Sequence, residues 1–239
     1  MPADFVYQGS ELELFARAVN WKRYWSAQVR PHLGTRVLEV GAGIGANTPY
    51  LNRNGAEWLC LEPDRKMAES LAASVARGEV AASRVIAGKI VDLPDTPSFD
   101  SIVYVDVLEH IEDDAAELAQ AARRLFAGGK IVMVGPAHSW LFSDFDRSIG
   151  HFRRYSPRSI EALRCADLEL ISIRQLDVVG IFASLANRLA LKQRLPTAAQ
   201  IEVWDRYLVP VSRVLDPLIA HRFGKSIMAV WRRRPNSSG

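Results

Sequence analysis

The spacing of hydrophobic positions changes in a regular order along the chain. Leu14, Ala18, Trp21, Trp25 and Val29 fall at steps of three or four, so residues 11–30 read as an amphipathic helix within an N-terminal helical cap, residues 1–34. The run RVLEVGAGIGANTPYL follows, passing from β-branched and leucine-rich positions into a glycine cluster and then into helix-compatible residues: strand, tight turn, helix. The pattern repeats as a strand at 57–62, a helix at 65–77, a weaker strand at 84–87 and a strand at 100–105. A helix at 114–127 comes next, with Asp114 and Glu117 placed as its cap and Gly128-Gly129 as its stop, before a fifth strand at 130–134. Strands alternating with helices predict a mainly parallel sheet, whose ligands sit beyond the carboxyl ends of the strands.

Regularity stops after Gly135 for about twenty residues, long for a loop in a compact domain, and this stretch holds His138, Asp144, Asp146, His151, Arg153, Arg154 and Tyr155. Ser156-Pro157 opens a helix to about Cys165. Residues 168–175 and 225–232 alternate like strands. Between them, 177–224 reads as a helical insertion, a possible lid, with Ile201, Trp204, Leu208, Val211, Leu215 and Leu218 in one stripe and Pro210 and Pro217 as breaks or kinks.

With 239 residues, 49% of them hydrophobic, the chain suits one α/β domain spanning 1–239. Thirty basic against 27 acidic residues give a net charge of only +3, so a nucleic-acid partner is not indicated. Cys60 and Cys165 have neither zinc-site nor disulfide spacing and are expected reduced, in a cytoplasmic protein. The acidic start MPADFVYQGSELELF does not read as a secretory signal, and no stretch of about 18 uncharged apolar residues predicts a membrane span. Peripheral membrane contact stays open.

Candidate chemistry begins at Gly41-Ala42-Gly43-Ile44-Gly45, directly after a strand that ends in Glu39 and Val40. Glycines here allow a sharp turn and let a ligand approach the backbone. With Ala46 the cluster also fits the G-x-G-x-x-A dinucleotide fingerprint, so a nicotinamide-dependent oxidoreductase is a rival reading. A non-catalytic interaction protein on the same fold is another. Glu62 ends the second strand, 17 positions after Gly45, where a carboxylate can accept hydrogen bonds from ribose hydroxyls.

The segments VLEVGAGIGANT, LCLEPDRKM, FDSIVYVDVLEHIEDD and LFAGGKIVMVGPA resemble, in order and spacing, the successive motifs of class I S-adenosylmethionine (SAM)-dependent methyltransferases. The resemblance covers 36–136, the expected cofactor-binding core. Through DFDRSIGHFRRYSP it extends to about residue 160, where it is similar to a subgroup of small-molecule and glycan-type enzymes. It implies a Rossmann-like, seven-stranded mixed sheet flanked by helices, including one antiparallel strand, with the helical insertion before the last strand. It also implies SAM as cofactor: Glu39, Gly41, Gly43 and Gly45 on its methionine part, Glu62 on the ribose, Ile90 and its neighbours on the adenine, Asp106 and Val107 at the sulfonium. Gly88 departs from the pattern, being followed by Lys89 where relatives have an aspartate that accepts from the adenine amino group. Lysine has no acceptor, which leaves Asp92, a backbone carbonyl or stacking to serve.

The expected acceptor is a small molecule methylated at oxygen, with a glycan or lipid-linked acceptor as the alternative. His151, in the long loop, is the leading candidate for the base or for the group that orients the acceptor hydroxyl, because an unperturbed histidine pKa of about 6.5 suits proton uptake near neutral pH. The alternative role for His151 is to anchor the loop through Asp146. His110 is the second candidate, whereas His32 and His221 lie far from the motifs. Arg153, Arg154 and Tyr155 are candidate acceptor-binding residues, one arginine able to fork onto an anionic group while the other pairs with Asp144 or Asp146. Some O-methyltransferase relatives bind a metal through a Glu-His pair at the position of Glu109-His110. The further carboxylate and histidine of those sites are not evident, so no metal is expected and Glu109 is assigned to capping or pairing with an arginine.

Overall fold

Successive residues of a strand face opposite sides of a sheet, and in the central strands both sets are apolar, so both faces have to be covered. Val37, Cys60, Val103, Val132, Met228 and Val230 enter one core, while Leu38, Leu61, Ile102, Ile131, Ala229 and Trp231 enter the other. The computed structural model describes residue 7 and residues 12–52, 55–186 and 195–235. Its strands are β1 (Arg36–Val40), β2 (Glu57–Glu62), β3 (Arg84–Ala87), β4 (Phe99–Val105), β5 (Leu125–Pro136), β6 (Leu168–Leu176) and β7 (Ser226–Arg233). They form one sheet in the order β3-β2-β1-β4-β5-β7-β6. Strands β1 to β5 run parallel, and β7 is antiparallel to β5 and β6, giving the expected seven-stranded mixed sheet. The strand order reverses between β1 and β4, so the loops after these two strands diverge and leave a crevice between them.

The helices are α1 (Leu12–Ala16), α2 (Val19–Val29), α3 (Thr48–Leu51), α4 (Arg65–Ala76), α5 (Asp114–Arg124), α6 (Asp144–Ser148), α7 (Pro157–Ala162), α8 (Gly180–Ala186), α9 (Ala198–Val203) and α10 (Val209–Leu218). The expected N-terminal helix is thus two, parted at Arg17-Ala18. The first core packs under α2, whose Trp21, Trp25 and Val29 are buried, and the second under α5 through Leu118, Ala121 and Ala122.

Gly128-Gly129 turns out to be a strand irregularity rather than a helix stop. The helix ends at Arg124 and β5 begins at Leu125, opposite Phe99. The register then shifts so that Ser101 faces Lys130, with Gly128 at φ +79° taking up the extra backbone. In the insertion, Trp204–Leu208 form a widened π-helical turn between α9 and α10. Pro210 lies directly beyond it and cannot donate to the carbonyl of Arg206, so the α ladder is interrupted here. Pro217 sits in the last full turn of α10, where the helix runs on to Leu218.

The insertion is tied to the N-terminal cap by buried carboxylates. α2 begins after Ala18, which has no capping side chain; the Asp205 carboxylate instead accepts from the amides of Asn20 (3.1 Å) and Trp21 (2.8 Å). Asp216 accepts from the Tyr24 hydroxyl (2.6 Å) and the amides of Asp177 (2.6 Å) and Val178 (3.0 Å). Asp205→Ala is expected to cost about 1–2 kcal/mol, the upper range for a lost helix cap. Urea unfolding measures it, and an unchanged midpoint would show that the cap contributes nothing. Cys60 is buried, Cys165 half-buried, and both are free thiols. Among the described residues no helix is long and apolar enough to cross a membrane.

Candidate functional site

The crevice at the β1/β4 switch opens into a cavity of about 940 Å³. Gly41, Gly43, Glu62, Ile90, Asp106 and Val107 line one end. Three glycines of the first turn do three different things. Gly41 has φ +66°, and a Cβ there would lie 2.5 Å from Val107 Cγ2, so the loops after β1 and β4 touch only because there is no side chain. Gly43 has φ +56°, and its Cβ would meet only Leu12 at 3.7 Å, which leaves its backbone facing free volume. Gly45 does not reach the cavity; a Cβ there would lie 2.5 Å from Leu71 Cδ1, so this glycine lets the loop pack on α4.

Glu62 is 4% exposed, with Oε2 accepting from the Gly43 amide (2.7 Å) and Oε1 from the Asp64 amide (2.9 Å). Burial pushes its carboxyl above the ordinary range, and the two amides pull it back. Glu39, by contrast, does not line the cavity. Its Oε2 accepts from Thr48 Oγ1 (2.7 Å) and Trp58 Nε1 (2.8 Å), and burial pushes it up to about 7, so it braces α3 and β2 beneath the glycine turn. Ile90 forms part of the wall, whereas Asp92, one of the expected stand-ins for the missing acceptor, does not line it. Its carboxylate takes the Lys89 amide (2.7 Å) and lies off the wall. Asp106 holds φ +54°, a conformation disfavoured for any residue with a Cβ, with its amide donating to Val134 O (2.8 Å).

The other end of the cavity is built by the long loop and the insertion. His151 and His110 both reach it, their rings 4.5 Å apart and nearly perpendicular. His151 Nδ1 is 2.9 Å from Asp146 Oδ1, and its Nε2 is 3.8 Å from Glu109 Oε1. Burial, and then the neighbouring His151, push His110 down to about 4, so it is neutral at physiological pH. Arg154 also lines the cavity, but its fork is closed on Asp146, Nε to Oδ1 at 2.8 Å and Nη2 to Oδ2 at 3.0 Å. Arg153 and Tyr155 are not on the wall. Arg153 pairs with Asp114 and donates to the Ile111 carbonyl (3.0 Å), and the buried Tyr155 hydroxyl donates to Asp114 Oδ2 (2.8 Å), so the two clamp the loop to α5. Glu109 neither caps a helix nor pairs with an arginine. It is fully buried, and neither oxygen bonds another described residue. Burial, with Asp106 nearby, holds its carboxyl well above the usual range.

Two lysines in the cavity wall escape the motif reading. Lys22 is 5% exposed and donates to the Ala46 carbonyl (2.9 Å); burial brings it down to about 8, against the pull of Asp106 and Glu39. Its signal was its place four residues after Ala18, inside the apolar stripe. Lys225 lies 3.7 Å from the centre of the Trp204 ring and 3.5 Å from Asp177 Oδ2, a packed cation just ahead of β7.

Residues 38–133 match the family described as "Methyltransferase domain". The chain is 30% identical over 134 residues to the demethylmenaquinone methyltransferase of Tropheryma whipplei (strain Twist), covering 56% of this chain and 55% of that protein. It is also 30% identical over 101 residues to the ubiquinone biosynthesis O-methyltransferase of Alkalilimnicola ehrlichii, covering 41% of this chain and 40% of the relative. The chain therefore spans about half the length of these curated relatives. Among solved structures, phosphoethanolamine N-methyltransferase 2 of Haemonchus contortus in complex with S-adenosyl-L-methionine superposes with a TM-score of 0.62 at 16% identity, over 96% of this chain and 58% of that one. Residues 38–133 thus resemble a methyltransferase domain, and the chain shares a Rossmann-like fold with solved methyltransferases.

Proposed function

From that resemblance, we propose that the protein is a SAM-dependent methyltransferase acting on the oxygen of a small, ring-bearing molecule. The observation that carries the cofactor is the junction of Gly43 and Glu62: a glycine backbone facing free volume beside a buried carboxylate at the end of the neighbouring strand. The residues fit SAM, with Gly41, Gly43 and Lys22 at the methionine end, Glu62 at the ribose diol, Ile90 under the base, and Asp106-Val107 between cofactor and acceptor. When bound, SAM supplies an electrophilic methyl group. The chain's own work is to hold the acceptor oxygen in near-attack geometry and keep water out. Aromatic walls from Phe15, Trp21, Phe145 and Trp204 suit a planar acceptor, and the quinone-type names of the relatives point the same way. His151, its Nδ1 turned to Asp146, presents Nε2 for the acceptor hydroxyl; His110 is its neighbour. Free thiols suit a reducing compartment, the cytoplasm.

Calorimetry tests the reading: SAM and S-adenosylhomocysteine are expected to bind and NADH to give no heat. Binding of NADH with none of S-adenosylhomocysteine would reverse the assignment. Glu62→Ala is expected to weaken S-adenosylhomocysteine by about 1.5–3 kcal/mol, roughly ten- to 150-fold, with the fold intact. Parental affinity in that variant would remove the ribose role.

The insertion acts as the acceptor's lid in this proposal. Pro196, Gln200, Val203 and Trp204 face the cavity from α9, the segment before it and the π-helical turn after it. Acceptor is expected to slow proteolysis within 177–224 at least several-fold. Cleavage indifferent to every acceptor tried would instead favour a dimer interface or a membrane-surface role for these helices.

A further inference from the structure

We propose that the outer face of the insertion docks on the anionic surface of a lipid bilayer, with α10 and the π-helical turn before it lying in the interface. The polarity of this segment is reversed relative to a helix that faces water. Tyr207, Val211, Val214 and Leu218 recur at steps of four, three and four and so form one stripe, with Tyr207 58%, Val214 64% and Leu218 77% exposed. The polar groups of the same segment point inward. Asp205 caps α2 through the Asn20 and Trp21 amides, Asp216 takes the Tyr24 hydroxyl, and the Ser212 hydroxyl donates to Asp177 (2.6 Å), all buried beside Trp204 and Val209. A helix at a water-facing surface ordinarily does the opposite.

Charge identifies the occupant. The insertion, 177–224, holds six basic residues, Arg188, Lys192, Arg194, Arg206, Arg213 and Arg222, against four acidic ones, which accounts for most of the chain's net charge of +3. Of the four acids, Asp177, Asp205 and Asp216 are buried on contacts within the chain, so only Glu202 is exposed. Arg206 and Arg213 each precede a stripe residue and edge the stripe along one side, the Arg206 guanidinium lying 5.5 Å from the centre of the Tyr207 ring. Arg222 is exposed just past the end of α10. Basic side chains beside apolar ones suit a bilayer interface, where rings and aliphatic stems enter the acyl boundary and the charged heads stay among phosphates. Among the described residues no helix can cross the bilayer, so the contact is a surface one. A second copy of the chain fits the face less well. About 15 residues of helix give a strip roughly 22 Å long and 10 Å wide, far short of the roughly 800 Å² per partner of a stable interface, and self-pairing would add like charges along its edge. None of the four stripe residues lines the cavity, so a lid on the inner side and docking on the outer side use different residues.

The full chain is sedimented with vesicles of phosphatidylcholine alone and of phosphatidylcholine mixed with phosphatidylglycerol. Binding is expected to the mixed vesicles, weaker to the neutral ones, and reduced as added salt shortens the screening length. Val214→Asp combined with Leu218→Asp should weaken binding at least about tenfold, and Arg206→Gln combined with Arg213→Gln roughly ten- to thirty-fold. Both should keep the parental unfolding midpoint, because all four side chains are exposed. Ile171→Asp, which alters an exposed apolar residue of β6, should bind like the parent. Failure of the parent to bind mixed vesicles, or parental binding by the Val214→Asp, Leu218→Asp variant, overturns the proposal. Ultracentrifugation without lipid tests the other occupant: a parental dimer that this variant dissociates would assign the face to a second copy and overturn docking on lipid. S-adenosylhomocysteine affinity is read separately, and its absence in a parent that binds vesicles would remove the methyltransferase reading and leave the docking surface standing.

Discussion

Replacing His151 by alanine is expected to slow methyl transfer roughly 10²–10⁴-fold while S-adenosylhomocysteine binds as before. In the proposed reaction the ring serves the acceptor, and its orientation is fixed by Asp146, while the Gly43–Glu62 junction is held by its own hydrogen bond. A hydroxyl is a weak nucleophile until its proton is held or removed, and the expected loss is of the size measured when a positioned acid-base group is taken away. Single-turnover rates on the true acceptor, measured beside cofactor affinity, decide the matter: near-parental turnover would leave His110 or simple proximity to account for the reaction.

Removal of Asp146 is expected to be the most damaging change to the fold near the site, costing about 3–5 kcal/mol in Asp146→Ala. Its carboxylate is completely buried and takes both arms of Arg154, the ring of His151 and the Ser143 amide (2.8 Å), so deletion strands a largely buried guanidinium without its counter-ion. That is a large part of the 5–15 kcal/mol by which a domain is ordinarily stable. The same cluster sets a pH dependence. Burial alone would raise the Asp146 carboxyl, but the His151 hydrogen bond and Arg154 outweigh it and hold the group at about 2. An acid depressed in the folded state contributes stability above its unfolded value of about 3.9, and that contribution is lost as pH falls through 2. Roughly 2–3 kcal/mol should therefore disappear between about pH 5 and pH 1 in the parent and not in Asp146→Asn. Parallel pH curves for the two proteins would show that the carboxylate is not held in this way.

How much of this was legible beforehand follows from the range of each interaction. The order of strands and helices could be read because both faces of the sheet are largely apolar, so each central strand is a mainly hydrophobic run bounded by turn residues, with Glu39 interrupting β1. The Gly41–Gly45 turn and the strand end at Glu62 could be read because each is a local signal, a glycine cluster or a carboxylate directly after an apolar run. Boundaries failed where tertiary structure overrides a local signal: Gly128-Gly129 serves equally well as a helix stop and as an irregularity inside β5, and only the pairing of Leu125 with Phe99 decides it. Glu39 and Gly45 were placed on the ligand by resemblance, while packing places them one layer behind. Arg153 and Tyr155 lie beside Arg154 in sequence, but only Arg154 faces inward. The proximity of His151 to Glu109-His110 was least accessible, since it joins segments about forty residues apart through a loop without periodicity.

The clasp between the two ends of the chain also bears on the order of folding. Asp205 and Asp216 engage Asn20, Trp21 and Tyr24 across more than 180 residues of sequence, whereas β1 to β4 pair with neighbours much closer along the chain. Contacts of such long separation carry the largest loop-closure cost and form late. The glycine turn and Glu62 would then assemble while the acceptor end still stands open, and a refolding protein should regain S-adenosylhomocysteine binding before it regains an enclosed chamber. Stopped-flow refolding followed by ligand capture and by the environment of Trp21 and Trp204 would resolve the two events in time.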